Sequence, residues 1–505
     1  MGQRRVTMAR WAVLILSLLG CLVSVWRLEQ ARSGIEITAL RVGSTPATVY
    51  RLPDAGPAPV AVIAHGFAGS RQLMEGFALT LARAGYVAVS YDLEGHGRNP
   101  VPMSGDVTTI GGTTQILMDE LARVTDAAVN LPGSDGRVAL IGHSMAADIV
   151  VRQALRDSRV GATVAVSMFS RAVTPTEPGN LLIIAGAWEG LLAAEAEAAL
   201  RQTDPQAGMG LTVGNPAQGT GRRAVLAPSV EHVGVLYSGT TLRETRDWLD
   251  FSFGRSDDTI VPLRGGWIAL LLVSVAALGW PLAALLRGFR APQAPVRLAT
   301  GRFLVALVIP ALATPLVLRL FDTRFLPVLV ADYLALHFAL YGGLVLCFAA
   351  LFGARPSLSR PVATIALGLA VAGFGILVFG SALDRYVASF WPVADRVPVV
   401  LAMALGAIPF MLADATLTEA GRAPLWRTLA VRGTALASLG LAVTLDFERL
   451  FFLVIILPVI LLFFLLFGTA GGWVGRATWR PGVSGIGLGI FLGWALGVTF
   501  PMFSA

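Results

Sequence analysis

The sequence predicts a mainly parallel α/β domain, with helices on both faces of its sheet, joined to an all-α transmembrane bundle. Three observations predict it. Hydrophobic residues make up 55% of the 505 residues and charged residues only 14%, with a mean hydropathy of +0.69. A soluble domain carries about 25% charged residues, so a wholly soluble enzyme and a disordered chain are excluded. Short β-rich runs alternate with helical stretches between residues 31 and 255, and long apolar segments follow from Gly266 onward. Two cysteines, Cys21 and Cys347, both inside apolar runs, exclude a disulfide scaffold.

The chain starts with Arg4, Arg5 and Arg10 and an apolar run from Trp11 to Trp26. A charged start before such a run fits a signal peptide or a signal anchor. No Ala-x-Ala-like cleavage site follows, and the apolar run continues past Cys21, so residues 1–30 are expected to be a tail and an uncleaved anchor.

In the second region, 31–255, Val60–Ala64, Tyr86–Tyr91, Arg137–Ile141, Thr163–Ser167, Leu181–Gly186 and Arg223–Ala227 read as buried strands. Ser70–Ala84, Thr113–Asn130 and Ser144–Arg156 read as amphipathic helices between them. Alternation of this kind gives an α/β fold.

The third region, 256–505, holds eight apolar segments: 267–286, 303–319, 327–352, 362–381, 397–413, 429–445, 449–468 and 483–503. A span needs about 20 apolar residues, and 429–445, interrupted by Arg432, is the weakest. The net charge is +7, and all 39 cationic residues are arginine. They mostly flank apolar segments, so topology explains them better than a nucleic-acid partner, and none is expected. With the N-terminal tail inside, the loops carrying Arg287, Arg290, Arg297 and Arg302, Arg355 and Arg360, Arg422 and Arg427, and Arg476 and Arg480 all fall inside, as cytoplasmic loops should. The expected location is a bacterial-type inner membrane, with the α/β domain and the C-terminus outside the cytoplasm.

The most specific local signal is Gly142-His143-Ser144-Met145-Ala146, directly after a strand and before a helix. This is the context of a nucleophile elbow, whose tight turn demands small residues two positions either side of the serine. Gly142 fits; Ala146 replaces the usual glycine. Val62-Ile63-Ala64-His65-Gly66-Phe67-Ala68-Gly69 and Tyr91-Asp92-Leu93-Glu94-Gly95-His96-Gly97-Arg98 each follow an earlier strand. On these three motifs, in this order, residues 45–252 resemble the α/β-hydrolase superfamily. The nearest members in pattern are esterases and dienelactone-hydrolase-like, lysophospholipase-like and S33 serine-aminopeptidase-like proteins.

The resemblance implies a Ser–acid–His order along the chain. Ser144 is the candidate nucleophile, and it needs a base to take its proton. His232 follows the last buried strand and precedes the closing helix, so it is the candidate base. Glu189, after Leu181–Gly186, is the candidate acid, with Asp148, Asp204 and Glu231 as rivals. The resemblance also implies an oxyanion hole from the backbone N–H groups of Phe67 and Met145. His143 is expected to be structural, His65 to organise the oxyanion loop, and Asp92 and His96 to hold their turn. Five histidines are spread singly, so no metal site is expected. There is no nucleotide or flavin fingerprint, so no cofactor is expected either. Ser170–Asn180 is too short for a helical cap, which predicts an open site.

The expected activity is a membrane-integral serine hydrolase that cleaves ester or other acyl bonds of small-molecule or lipid substrates through an acyl-enzyme, with membrane lipids as partners. The alternatives are an acyltransferase, or a transporter or scaffold carrying an inactive hydrolase-like domain. Gly485, Gly489, Gly493 and Gly497 mark a close-packing face, within the chain or in a homo-oligomer. Asp332, His337 and Asp414, inside or near spans, are expected to make structural hydrogen bonds rather than a relay.

Overall fold

The structure is a computed structural model that describes residues 2–106, 109–355 and 360–504, with the side chains of the N-terminal tail described from Val6 onward. Arg4 and Arg5, counted above for topology, have side chains outside the described residues. The chain divides into two compact units. One comprises Val25–Ala269, Asp384–Val393 and Pro501–Ala505; the other comprises Met1–Ser24, Leu270–Leu383 and Ala394–Phe500.

The first unit is built on one nine-stranded sheet. Its strands are β1 (Glu36–Val42), β2 (Thr45–Arg51), β3 (Ala58–Ala64), β4 (Val87–Tyr91), β5 (Ser134–His143), β6 (Val160–Val166), β7 (Leu181–Gly186), β8 (Thr212–Val213) and β9 (Arg222–Ala227). The order is β1-β2-β4-β3-β5-β6-β7-β9-β8, parallel from β4 through β9 and antiparallel at both edges. The central strands β3, β4 and β7 are buried along their whole length, as strands covered on both faces must be. Their β-branched and small residues, such as Val60-Ala61-Val62-Ile63-Ala64, suit that position.

Helices α1 (Glu75–Arg83), α2 (Gln115–Val129), α3 (Met145–Ala154), α4 (Gly190–Arg201) and α5 (Gly239–Ser252) flank the sheet. Two clusters form the core. One joins Phe77, Leu81, Ile141, Val164, Trp248 and Leu249, and the other joins Val151, Ala165, Ile183 and Leu200. This is the α/β-hydrolase fold. Residues 167–180, between β6 and β7, hold no helix.

The two chain segments that enter and leave this unit share one anchor. Glu75, 2% exposed, forms ion pairs with both Arg32 and Arg264. A buried carboxylate held by two guanidiniums is compensated at both oxygens.

The second unit is helical. Among the described residues, nine helices of the chain are long and apolar enough to cross a membrane, from Val6–Gln30 to Pro481–Thr499. The segments expected from the sequence all fall on such helices. The seventh runs Leu453–Thr478, ten residues past its expected end at 468, because its last turns combine glycines, Trp473 and Arg476. The last ends at Thr499, because the chain turns extended at Phe500 before Pro501.

The glycine stripe is filled from within the chain. A Cβ on Gly485, Gly489, Gly493 or Gly497 would come within 2.6 Å of the Cα of Leu412, Ile408, Ala404 or Val400. All four lie on helix Val397–Leu417, so the two backbones touch along their length. Arg432, which weakened 429–445 as a span, pairs with Asp414 at 3.0 Å. His337 Nε2 lies 3.1 Å from Ser438 Oγ, and Asp332 accepts the N–H groups of Tyr333 and Phe325 at the start of its helix.

Substituting Gly493→Val should therefore force these helices apart. Overpacking costs about 1–3 kcal/mol, so the full chain in detergent should unfold at a clearly lower temperature. The change Gly433→Val, at a position where a Cβ meets nothing within 4 Å, should leave the melting temperature nearly unchanged.

Candidate active site

The site begins at the end of β5. Strand β5 stops at His143, and Ser144 turns the chain with φ 54° and ψ −116° into α3. Few residues with a side chain adopt this conformation. Neighbouring backbone holds it: Ser144 N–H donates to Val166 O of β6 at 2.8 Å. Position 142 must be glycine, because a Cβ there would lie 2.3 Å from Ala146 O. The sharp turn lifts Ser144 to a half-buried position above the sheet.

His232 approaches on the loop after β9, and its Nε2 lies 2.8 Å from Ser144 Oγ. Its Nδ1 lies 2.5 Å from Glu189 Oε1. Glu189 follows β7, and its other oxygen accepts from Gly186 N–H at 2.6 Å and Ser167 Oγ at 2.8 Å. The structure thus brings Ser144, His232 and Glu189 into one hydrogen-bonded line from the ends of three parallel strands. Burial pushes the Glu189 carboxyl up, but hydrogen bonds from His232, Gly186 and Ser167 outweigh it and leave its pKa below the usual carboxylate range.

The three rival carboxylates are engaged elsewhere. Asp148 pairs with Arg152 and accepts from Ser170 Oγ. Glu231 caps its own loop by accepting the N–H groups of Val233 and Gly234. Asp204 accepts from Gln206 N–H.

Two further histidines support the line. His143 is 4% exposed, and burial, followed by the neighbouring His232, pushes its pKa down to about 3. It is therefore neutral, and its Nε2–H donates to His232 O at 2.9 Å, which fixes the loop carrying His232. His65 is fully buried, and burial lowers its pKa. It donates from Nδ1 to Gly66 O at 2.8 Å and accepts Leu93 N–H at Nε2 at 3.2 Å, tying the loop after β3 to the loop after β4.

Gly66 packs directly on the turn: a Cβ there would come 3.0 Å from Ser144 Cβ. Phe67 follows Gly66 in the chain, and its ring meets that of His96. Met145 is the first residue of α3, where an N–H has no intrahelical acceptor.

Asp92, fully buried, accepts Arg71 N–H at 2.8 Å and Arg98 N–H at 3.0 Å and pairs with the Arg71 side chain. The ring of His96 meets those of His65 and Phe67 edge-on, at 5.3 and 5.7 Å. Both residues hold the turn, as the sequence suggested.

Other contributors were not legible in the sequence. Ser167, φ 53°, orients Glu189; its place at the end of a parallel strand was the available signal. Glu120, buried, accepts from Thr45, Asn99 and Glu94 N–H under the loop after β4.

Two distant segments also belong to this unit. Ser389 N–H donates to Ser70 Oγ at 3.1 Å, and Arg98 Nη2 donates to both Asp384 oxygens at 2.7 and 2.6 Å. Met502 N–H donates to Gly95 O at 2.9 Å, and Ser504 N–H to Met103 O at 2.7 Å. These segments are continuous with helices of the other unit, and they fasten the loops after β3 and β4. Among the described residues no group of His, Cys, Asp and Glu could hold a metal.

Fold and site define an α/β-hydrolase domain. Residues 55–202 match the family described as serine aminopeptidase, S33. Comparison with curated proteins gives no match. Among solved structures, the chain is similar to an epoxide hydrolase from Vigna radiata (25% identity, 29% of this chain and 41% of that one, TM-score 0.22). It is similar to a dienelactone hydrolase from Anabaena variabilis (21% identity, 43% and 96%, TM-score 0.32). It is also similar to an esterase from Pyrobaculum calidifontis (16% identity, 48% and 93%, TM-score 0.32). The chain spans about two fifths of the length of the Vigna radiata enzymes.

The lowered Glu189 pKa has a consequence for stability. Its contribution is complete above the unfolded carboxylate value and is lost as pH falls through the lower folded value. Wild type should therefore lose stability on acidification through this range. Glu189→Gln should be less stable at pH 7 by about 1–3 kcal/mol, with a flatter acid limb, measured by thermal unfolding across pH. Equal acid limbs would show that Glu189 is not the group responsible.

Proposed function

We propose that the protein is a membrane-integral serine hydrolase that cleaves ester or related acyl bonds through an acyl-enzyme. The single observation that carries this reading is the Ser144–His232–Glu189 line, at 2.8 and 2.5 Å.

In this reading Ser144 Oγ attacks the substrate carbonyl carbon while His232 Nε2 takes its proton. The C=O electron pair moves to oxygen, and the Phe67 and Met145 amides receive that oxyanion. Glu189 accepts His232 Nδ1–H, holds the ring in the correct tautomer and stabilises the imidazolium. Collapse expels the leaving group, which takes the proton from His232. Water, deprotonated by His232, then attacks the acyl-Ser144 carbonyl; the bond to Ser144 Oγ breaks, Oγ takes the proton back from His232, and the acid is released.

The lack of a helix in residues 167–180, between β6 and β7, supports an open site suited to substrates presented from a surface. The nine apolar helices among the described residues support a membrane location, and lipid or lipid-like esters are the proposed substrate class. The arginine distribution supports an extracytoplasmic hydrolase domain, with the N-terminus inside.

Fluorophosphonate labelling of right-side-out and inverted vesicles tests the chemistry and the topology together. Wild type should label from the outer face only. Ser144→Ala should lose labelling, and ester hydrolysis should fall by on the order of 10⁴–10⁶-fold. Intact, folded wild type that never labels would contradict an activated serine; labelling from the inner face would reverse the topology.

A further inference from the structure

One end of the helical unit gathers arginines that have no counter-charge. Arg10, Arg287, Arg290 and Arg476 line a single cavity of about 210 Å³, together with Trp280 and Trp473. Neighbouring carboxylates are already engaged: Asp414 pairs with Arg432, and Glu419 with Arg297 and Arg427. Among the described residues no Asp or Glu forms an ion pair with any of the four.

Their other contacts leave the positive charge uncancelled. Arg10 Nε is buried without a hydrogen-bond partner, and its guanidinium lies 5.7 Å from the Trp280 ring centroid. Arg287 repels it. Arg290 Nε donates to Ala477 O at 3.3 Å, and its guanidinium lies over Trp479. Arg476 Nη1 donates to Gly421 O at 2.6 Å.

An arginine cannot relieve such repulsion by losing its proton. Like charges gathered in a pocket with part-buried walls repel more strongly than in water. A mobile monovalent anion neutralises one of four, whereas a phosphate group accepts several guanidinium hydrogen bonds at once. Indoles beside the cavity match the headgroup level of a bilayer. Arg476 also lines a second cavity of about 290 Å³, whose walls mix Met411, Leu425 and Leu488 with Thr418, Thr428 and the Asp414–Arg432 pair.

We propose that this arginine-lined cavity binds the phosphate-bearing headgroup of an anionic phospholipid. The site is separate from Ser144 and stands whether or not that serine is catalytic.

The test uses the full chain in nanodiscs of equal phosphatidylcholine and phosphatidylglycerol, with retained lipid read by native mass spectrometry. Wild type should retain phosphatidylglycerol preferentially. Arg287→Gln and Arg290→Gln should each lower that preference on the order of fivefold. Arg422→Gln, whose guanidinium stacks on Trp479 outside the cavity, should leave it unchanged. Equal retention of both lipids by wild type would overturn the proposal without reference to any variant. So would an equal loss in Arg422→Gln, which would mark a bulk charge effect. A wild-type arm adds inorganic phosphate at constant ionic strength. If phosphate displaces phosphatidylglycerol completely, the cavity recognises the free ion and the lipid assignment falls; if the lipid is retained, the assignment stands.

Discussion

Ser144 sits in a backbone conformation that costs a residue with a side chain about 1–3 kcal/mol, and the sheet around it is arranged to hold that turn. Gly142 is bare because Ala146 O occupies the space of a Cβ, and Gly66 is bare because Ser144 does. The β6 backbone accepts Ser144 N–H. Relaxing the turn would withdraw Oγ from His232 and separate Gly66, and with it Phe67, from the serine. Geometry at one residue therefore fixes both the Ser144–His232–Glu189 hydrogen-bonded line and the close approach of the Gly66 backbone.

The polar layer beneath the site does similar work at one remove. His143 and His65 are both buried and held neutral, so each can donate at one nitrogen only. Each uses that single donor on a backbone carbonyl, His232 O or Gly66 O. Both rings tie loop backbone in place through these bonds. The loop after β4 is braced from several directions: Asp92 and Glu120 below, and the segments 384–393 and 501–504 beside it. Residues 167–180 supply no helix to brace these loops.

The sequence was most legible where burial leaves a continuous signature. Strands β3, β4, β5, β6, β7 and β9 carry unbroken apolar runs and were visible. The antiparallel edges were not: β1 has no buried position, and β8 is two residues long. Ser144, His232 and Glu189 could be named as candidates because each follows a strand, and the structure brings the three within hydrogen-bond distance. Ser167, Glu120 and Asp384 were not, because their roles depend on contacts between segments 21 to 286 residues apart. No local pattern encodes these. The same holds in the helical unit. Arg432 weakened a span on paper, yet its charge is matched by Asp414 on a neighbouring helix, a pairing that hydropathy cannot see.

The central claim is that Ser144 forms a covalent adduct whose oxyanion rests on the Phe67 and Met145 amides. The direct measurement is a structure of the full chain after reaction with an alkyl phosphonate. The account predicts continuous density from Ser144 Oγ to phosphorus, with the phosphoryl oxygen about 2.7–3.1 Å from both amide nitrogens. An adduct on another residue, or a phosphoryl oxygen turned away from both amides, would contradict it.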